Sequence, residues 1–308
     1  MGTVEDQLNV SSVEERLESE PAWGPDGPLT PGRLASPARK RRPGGVVKSA
    51  VRRAVPDGLY MSFTRDYRLI TLMLPVSKLA LAIGALRLRR RAGPRGVERL
   101  DAVTVINLAT RPDRMASFER EMETLRIGEY TRFDAIHDTN GALGCLRSHA
   151  RCLAEMIEKS KACLMICEDD VRFRVSRAEL DVLVEAFLDD PTAEVVCLAY
   201  QHCGPPSWHD ALFVRAPVVM HTAACYVVKS SIARELLALF DEGIEQLRSG
   251  GDPSVYAADR IWSRLRPARV FVLPIKRAAF NADGYSDIGQ RVVRFDGRGR
   301  VLRSGPGG

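Results

Sequence analysis

Hydrophobic and polar positions alternate along the middle of the chain in the manner of an α/β protein. Apolar runs at 102–108, 162–167 and 194–199 are short and rich in β-branched residues, which is typical of buried strands. Between them, apolar residues recur with helical spacing at 113–126 and 145–160. Strands and helices that follow one another in this way predict a sheet with helices on its faces.

The alternation continues towards the C-terminus. Further predicted strands lie at 130–136, 223–228 and 269–273, and further predicted helices lie near 176–188, 230–241 and 254–265. We therefore expect an α/β fold with a mainly parallel central sheet, in a domain that covers about residues 100–290. In such folds ligands bind beyond the carboxyl ends of the strands.

The two ends of the chain have a different composition. Residues 1–68 are rich in Pro, Gly, Ser and charge, and they predict a disordered leader that is first acidic and then basic. The net charge is −6 over residues 1–32, +14 over 33–99 and −2 over the remainder, so the overall charge of +6 does not describe the folded part. The basic run at 38–45 favours a linker over a nucleic-acid site, and we expect no nucleic-acid partner. Residues 291–308 predict a flexible tail.

Residues 69–92 predict an amphipathic helix followed by a cluster of arginines. The apolar segment is nearly long enough to cross a bilayer, but Pro75 and Lys78 interrupt it. Three interpretations stay open, which are packing on the protein's own domain or a partner, peripheral attachment to a membrane surface, and a true span.

The cysteines and the N-terminus bear on the compartment. Seven cysteines contain no CxxC pair, and most of them lie among apolar neighbours, which favours reduced thiols. The acidic start of the chain does not resemble a secretory signal. We expect a cytoplasmic protein that can lie at the inner face of the membrane.

Three carboxylates, Glu168, Asp169 and Asp170, directly follow the apolar run at 162–167. Acidic residues are depleted in strands and are rarely buried without a partner. A hard cation such as Mg²⁺ or Mn²⁺ would explain the cluster, since it prefers carboxylate, phosphate and water oxygens. The alternative is an ordinary solvated acidic loop.

Two further segments contain residues suited to bind phosphate. Arg111 and Arg114 flank the turn between the first strand and the first helix, where guanidinium groups and helix-end amides favour anions. A second segment, 141–149, has two glycines before a helix and ends with Ser148 and His149. A surface ion pair and a structural histidine are the respective alternatives.

Taken together, seven segments resemble the family 25 glycosyltransferases, a group that includes lipooligosaccharide galactosyltransferases and procollagen galactosyltransferase domains. The segments are VINLATRPDR (105–114), RFDAI (132–136), GALGCLRSHARCL (141–153), MICEDDV (165–171), HTAACYVVKSSIARELL (221–237), AADRIW (257–262) and LPIKRAAFNADGYSDI (273–288). The late segment departs from the family pattern, because Ile275 and Lys276 follow Pro274 where many members have Gln.

The resemblance implies a GT-A-like domain that transfers a hexose, often galactose, from a UDP-sugar with inversion at the anomeric carbon. It implies a glycan, glycolipid or lipopolysaccharide-type acceptor and Mn²⁺ or Mg²⁺ as cofactor. The residues that the resemblance assigns are Glu168, Asp169 and Asp170 to the metal, Asn107, Arg111, Arg114, Asp134, Ser148 and His149 to the donor, and Asp259 to the catalytic base. For Asp259, capping of its own helix is the alternative.

Two other functions remain alternatives. A nucleotidyltransferase would also use paired carboxylates and a cation, but the Gly- and Lys-rich phosphate loop expected near the first strand is missing from the sequence. A catalytically degenerate domain that only binds glycans or partners would tolerate loss of the acid cluster, which the sequence retains.

Overall fold

The computed structural model describes residues 67–202, 206–217, 220–286, 291–295 and 301–302. The predicted leader lies almost wholly outside these residues. The α-helices are α1 (Tyr67–Arg89), α2 (Pro112–Leu125), α3 (Gly141–Glu158), α4 (Arg177–Asp189), α5 (Ser230–Arg248), α6 (Pro253–Tyr256) and α7 (Ala258–Ile261). Short 3₁₀ helices cover Gly96–Arg99 and Trp262–Arg264.

The strands form one large sheet and several short ladders. They are β1 (Ala102–Asn107), β2 (Thr131–Asp134), β3 (Cys163–Glu168), β4 (Val171–Phe173), β5 (Val195–Cys197), β6 (Gln201–His202), β7 (Ser207–Trp208), β8 (Phe213–Arg215), β9 (Met220–His221), β10 (Cys225–Lys229), β11 (Phe271–Pro274), β12 (Ala279–Asn281), β13 (Gly284–Ser286), β14 (Arg291–Phe295) and β15 (Val301–Leu302).

The central sheet has eight strands in the order β2-β1-β3-β10-β5-β11-β8-β7. Strands β10 and β8 run antiparallel to their neighbours, and the other six share one direction. The prediction of an α/β fold with a mainly parallel central sheet is therefore confirmed.

Both faces of the sheet are covered, as the uninterrupted apolar character of its strands requires. In β3, Leu164 and Ile166 face a hydrophobic cluster that contains residues of α3 and α5, whereas Cys163, Met165 and Cys167 face a second cluster that contains residues of α2 and α4. This alternation is the period of two that side chains follow along a strand.

The strand order reverses between β1 and β3. From β1 the chain passes through α2 to β2 on one side, and then through α3 to β3 on the other side of β1. Because α2 and α3 lie on opposite faces of the sheet, a crevice opens between the carboxyl ends of β1 and β3. The predicted arginine turn and the predicted acid cluster follow these two strands.

Two predicted helices need correction. The helix expected near 254–265 is broken into α6, α7 and a 3₁₀ turn, because the backbone of Ala257 is extended (φ −62°, ψ 157°). The break accompanies a close contact, since a Cβ on Gly243 of α5 would lie 3.1 Å from the Tyr256 carbonyl oxygen. Helix α3 begins at Gly141 rather than near 145, because the Asn140 side chain accepts a hydrogen bond from the Leu143 N–H and caps it.

Helix α1 (Tyr67–Arg89) covers most of the segment 69–92 that the sequence predicts as an amphipathic helix. One face packs on the domain, where Ser77 and Leu81 are fully buried and Gly84 lies against Val182 of α4. Among the described helices α1 is long and apolar enough to cross a membrane, judged by length and composition alone.

The segment predicted as a flexible tail contains two short strands. Strand β14 pairs antiparallel with β13 and with β15. The flexibility predicted for residues 291–308 stays a prediction, and so do the domain boundaries proposed from the sequence.

Replacing Gly144 with alanine tests the packing of α3 against the loop that follows β2. A Cβ at Gly144 would lie 2.5 Å from the Ile136 carbonyl oxygen, so the helix and loop must separate. We expect Gly144→Ala to lower the free energy of unfolding by about 1–3 kcal/mol in urea denaturation. The matched control is Gly128→Ala, whose Cβ would meet no atom within 4 Å and which should change stability by less than about 0.5 kcal/mol. Equal effects of the two variants would contradict the close packing.

Candidate active site

A cavity of about 910 Å³ opens where β1 and β3 end. This volume falls within the range of about 300–1,000 Å³ that small-molecule sites occupy. Its charged and polar lining comes from the arginine turn with the start of α2, the loop after β2 with the start of α3, the acid cluster with β4, and the segment that begins at the end of β12. It comprises Thr110, Arg111, Asp113, Arg114, Ser117, His137, Asp138, Thr139, Ser148, His149, Glu168, Asp169, Asp170, Arg172, Asn281, Asp283 and Ser286.

Asp169 is the most buried of the three consecutive acids, with 5% of its surface exposed. Its Oδ2 accepts a hydrogen bond of 2.7 Å from the Asn107 amide, and its Oδ1 lies 3.0 Å from Nη1 of Arg114. Burial raises the pKa of Asp169 above its usual range, and Arg114 acts in the opposite direction. Asp169 therefore ties the end of β3 to the end of β1 and the first turn of α2.

Asn107 is buried beneath the cavity and does not belong to its lining. Besides Asp169, its amide donates to the Arg111 carbonyl oxygen at 3.0 Å, and its Oδ1 accepts from Nε of Arg132 at 3.0 Å. All of these bonds are within the protein, so Asn107 holds the arginine turn and the acid cluster together. The prediction that it contacts the donor directly stays a prediction.

Glu168 extends towards α3, away from Asp169. Its Oε1 lies 3.2 Å from Nε2 of His149 and 3.9 Å from Sγ of Cys145. On the other side of the imidazole, Nδ1 lies 3.1 Å from the hydroxyl of Tyr226, whose pKa is raised well above its usual value by burial. His149 therefore bridges the Tyr226 hydroxyl and the Glu168 carboxylate, and this bridge orients the carboxylate.

Asp170 faces the opposite wall of the cavity. Its Oδ1 accepts from the Asn281 amide at 3.2 Å, and the Asn281 Oδ1 accepts from the Thr222 hydroxyl at 2.7 Å. The backbone N–H of Thr222 in turn donates to Oδ2 of Asp259 at 2.9 Å. Thr222 has a left-handed backbone (φ +75°), which is uncommon for a branched residue and indicates local strain at the site.

The electrostatic state of Asp170 differs from that of an exposed aspartate. Burial, together with the neighbouring Glu168 carboxylate, raises the pKa of Asp170 to about 7. A divalent cation in the cavity would act in the opposite direction, since it favours the ionised carboxylate.

Ser148 and His149 of α3, which the sequence predicts to bind the sugar donor, are both fully buried and line the cavity. The Ser148 hydroxyl donates to the Gly144 carbonyl oxygen at 2.8 Å and accepts from the Ile136 N–H at 2.9 Å. Ser148 thus fixes the loop after β2 against the helix, and His149 orients Glu168.

Of two further residues that the sequence predicts to bind the donor, Arg111 lines the cavity and Asp134 does not. Arg111 makes a bidentate pair with Asp113, with both N–O distances 2.9 Å, and this pairing lowers the pKa of Asp113 to about 2. The carboxylate of Asp134 is exposed and pairs with Arg132 at 2.8 Å, beside Asn107 in the sheet register.

The predicted base, Asp259, also lies outside the cavity lining. Its side chain is 24% exposed, it holds the Thr222 N–H, and its Oδ1 lies 3.7 Å from Nε of Arg260. The sequence prediction of Asp259 as base remains a prediction.

Sequence reasoning missed Tyr226, Thr222 and Asn281. Tyr226 belongs to an apolar run that predicts only a buried strand. A tyrosine hydroxyl inside such a run requires a polar partner, and this requirement could have pointed to His149. Thr222 and Asn281 occur in the segments that carry the family resemblance, but nothing local predicts their contact.

Residues 138–249 match the model of glycosyltransferase family 25, described as an LPS biosynthesis protein family. The matched region includes α3, the acid cluster and β10, and it confirms the resemblance predicted from the sequence. The match supports a glycosyltransferase.

Solved structures give weaker similarities. A glycosyltransferase involved in the glycosylation of the major capsid of PBCV-1 aligns with 10% identity and a TM-score of 0.36, over 56% of this chain and 81% of that chain. A mannose-1-phosphate geranyltransferase from Thermus thermophilus aligns with 11% identity and a TM-score of 0.34, over 57% of this chain and 74% of that chain. No curated protein matches the chain.

The raised pKa of Asp170 predicts a pH dependence of stability in the presence of a chelator. Between pH 3.8 and about 7 the unfolded chain loses a proton that the folded protein keeps, so the free energy of unfolding falls as pH rises through this window. We expect a fall on the order of 4 kcal/mol in urea denaturation. Asp170→Asn should flatten this part of the profile, and Asp189→Asn, at an exposed aspartate outside the cavity lining, should leave it unchanged. An identical slope in Asp170→Asn and the unsubstituted protein would contradict the assignment.

Proposed function

We propose that this protein transfers galactose or a related hexose from a UDP-sugar to a glycan, glycolipid or lipopolysaccharide-type acceptor. The observation that carries the proposal is the cavity at the switch point of the sheet, where Glu168 and Asp170 face the same volume as Arg111 and Arg114. A nucleotide sugar presents a diphosphate that carboxylate-bound cations and guanidinium groups can recognise together. The family 25 match supports the reaction class.

The residues present fit Mn²⁺ or Mg²⁺. Glu168 and Asp170 offer hard oxygen ligands from two sides of the cavity, and their own partners, His149 and Asn281, orient them. Cys145 lies close enough to join Glu168 and His149 in a metal-binding group, but burial raises the pKa of its thiol well above the usual value. A protonated thiol is a poor ligand, which favours the oxygen set.

We assign different tasks to the three acids that the sequence predicts as metal ligands. Glu168 and Asp170 would hold the cation, whose chemistry is to neutralise the charge that develops on the leaving diphosphate. Both oxygens of Asp169 already accept hydrogen bonds, from Asn107 and Arg114, so Asp169 would position those groups. Arg114, held by Asp169, and Arg111 would lie along the diphosphate.

Inversion requires a group that removes the proton of the acceptor hydroxyl. Asp259 is proposed for this step, and its hydrogen bond to the Thr222 N–H fixes the carboxylate relative to Asn281 and Asp170. The acceptor would then approach from the side of Thr222, opposite His149.

The proposed compartment is the cytoplasm. In the described part of the chain six cysteines are free, and five of them are buried. Buried thiols among apolar side chains are typical of a reduced compartment, and this pattern supports the proposal.

Donor recognition is tested by a panel of UDP-sugars with Mn²⁺ or Mg²⁺, scored by calorimetric binding and by slow donor hydrolysis. We expect Asp170→Asn to lose metal-dependent donor binding at least about tenfold, because one cation ligand is removed. Asp189→Asn is the matched control and should bind like the unsubstituted protein. If no UDP-sugar bound in the presence of either cation, the proposed function would be wrong.

The role of Asp259 is tested by Asp259→Asn. The asparagine retains an oxygen that can accept the Thr222 N–H bond, but it cannot take up a proton. We therefore expect transfer to an acceptor to fall about 10²–10⁴-fold, with donor binding and donor hydrolysis maintained. Unchanged transfer in this variant would show that Asp259 only supports Thr222.

A further inference from the structure

Five large apolar side chains of α1 are exposed on the side that faces away from the domain. They are spaced by three or four residues and form one stripe, hereafter the apolar stripe, which consists of Leu72, Val76, Leu79, Ile83 and Leu86. Between 41% and 73% of the surface of each residue is exposed. Single exposed leucines are common, but a continuous row of five on one helix indicates an interaction surface.

The other side of α1 is fixed to the domain at both ends. Leu69, Ile70, Met73 and Leu74 pack against one hydrophobic cluster, and Ala85 and Leu88 pack against the other. Just after the helix, Arg91 and Arg99 both pair with the buried carboxylate of Glu185, which also accepts the Gly96 N–H. A helix held along its length in this way presents the apolar stripe sideways, whereas a bilayer-spanning helix would have to leave these contacts.

Helix α1 and the segment that follows it contain charges of one sign only. Between Asp66 and Glu98 the chain has seven Lys or Arg residues and no acid. Arg87, Arg89 and Arg90 are exposed at the C-terminal end of α1, and they have no ionic partner among the described residues. Apolar side chains flanked by arginines are complementary to a surface that combines acyl chains with anionic headgroups.

We propose that α1 docks on an anionic lipid surface, with the apolar stripe inserted at the boundary of headgroups and acyl chains and with Arg87, Arg89 and Arg90 on the headgroups. The helix lies in the plane of the membrane and keeps its contacts with α4. The domain is thereby held at the membrane surface, independently of what the cavity binds.

Vesicle flotation with the full chain tests this docking. The two vesicle types are phosphatidylcholine alone and phosphatidylcholine mixed with phosphatidylglycerol. We expect binding to the mixed vesicles and much weaker binding to phosphatidylcholine. The double variant Leu72→Glu, Leu79→Glu should lose at least about tenfold in affinity for the mixed vesicles, because two inserted leucines become charged. Val255→Glu adds a carboxylate at another exposed apolar residue and is expected to float like the unsubstituted chain.

A second pair of substitutions separates charge from insertion. Arg89→Gln combined with Arg90→Gln should reduce affinity for the mixed vesicles about fivefold for each arginine, and should have little effect on phosphatidylcholine. The three variants change exposed residues, and circular dichroism will verify that they keep their fold.

Three results would overturn the proposal. One is failure of the unsubstituted chain to float with mixed vesicles. Another is retention of the protein on the vesicles after washes with high salt and then with alkaline carbonate, because such retention would indicate that α1 spans the bilayer. The third is a dimer in light scattering that Leu72→Glu, Leu79→Glu converts to a monomer, which would assign the apolar stripe to contacts between copies of the chain.

Discussion

The buried carboxylate of Asp169 sets the geometry of the whole cavity. Removing a carboxylate from water costs several kcal/mol unless the charge is compensated, and here Arg114 and Asn107 compensate it from a different strand and helix. The end of β1, the first turn of α2 and the acid turn are therefore fixed to one another. Any ligand that enters the cavity meets an arrangement whose charges are already positioned.

The directions of the three acids follow from the geometry of β3. Side chains alternate between the faces of a strand, and this alternation continues into the turn. Glu168 shares the face of Ile166, where α3 supplies His149, and Asp169 shares the face of Cys167, where α2 supplies Arg114. Consecutive acids therefore have different partners, which are His149 for Glu168, Arg114 for Asp169 and Asn281 of β12 for Asp170. Glu168 nevertheless lies close enough to Asp170 to raise its pKa.

The sequence allowed the framework of the site to be predicted, since strands and helices that alternate with clear periods leave few arrangements. It also placed Arg111 and Arg114 after the first strand and Glu168 and Asp170 after the third, and in the structure these residues line one cavity because β1 and β3 are neighbours. What the sequence could not supply depends on contacts between distant segments. The extended backbone at Ala257 reflects the approach of Gly243, and the internal hydrogen bonds of Asn107 depend on the register of β1 with its neighbours. The contact between Tyr226 and His149 depends on the position of β10 beside β3, and β10 runs antiparallel in a mainly parallel sheet. The leader lies outside the described residues, so its predicted disorder is still open.

The left-handed backbone of Thr222 has a consequence for how this protein can evolve. A branched residue in that conformation costs about 1–3 kcal/mol, which a glycine at the same position would largely avoid. Glycine, however, lacks the hydroxyl that orients Asn281. A substitution of Thr222 by glycine would therefore increase stability but would also remove the contact that orders this wall of the cavity. Such a trade-off between robustness and an ordered site is characteristic of enzymes.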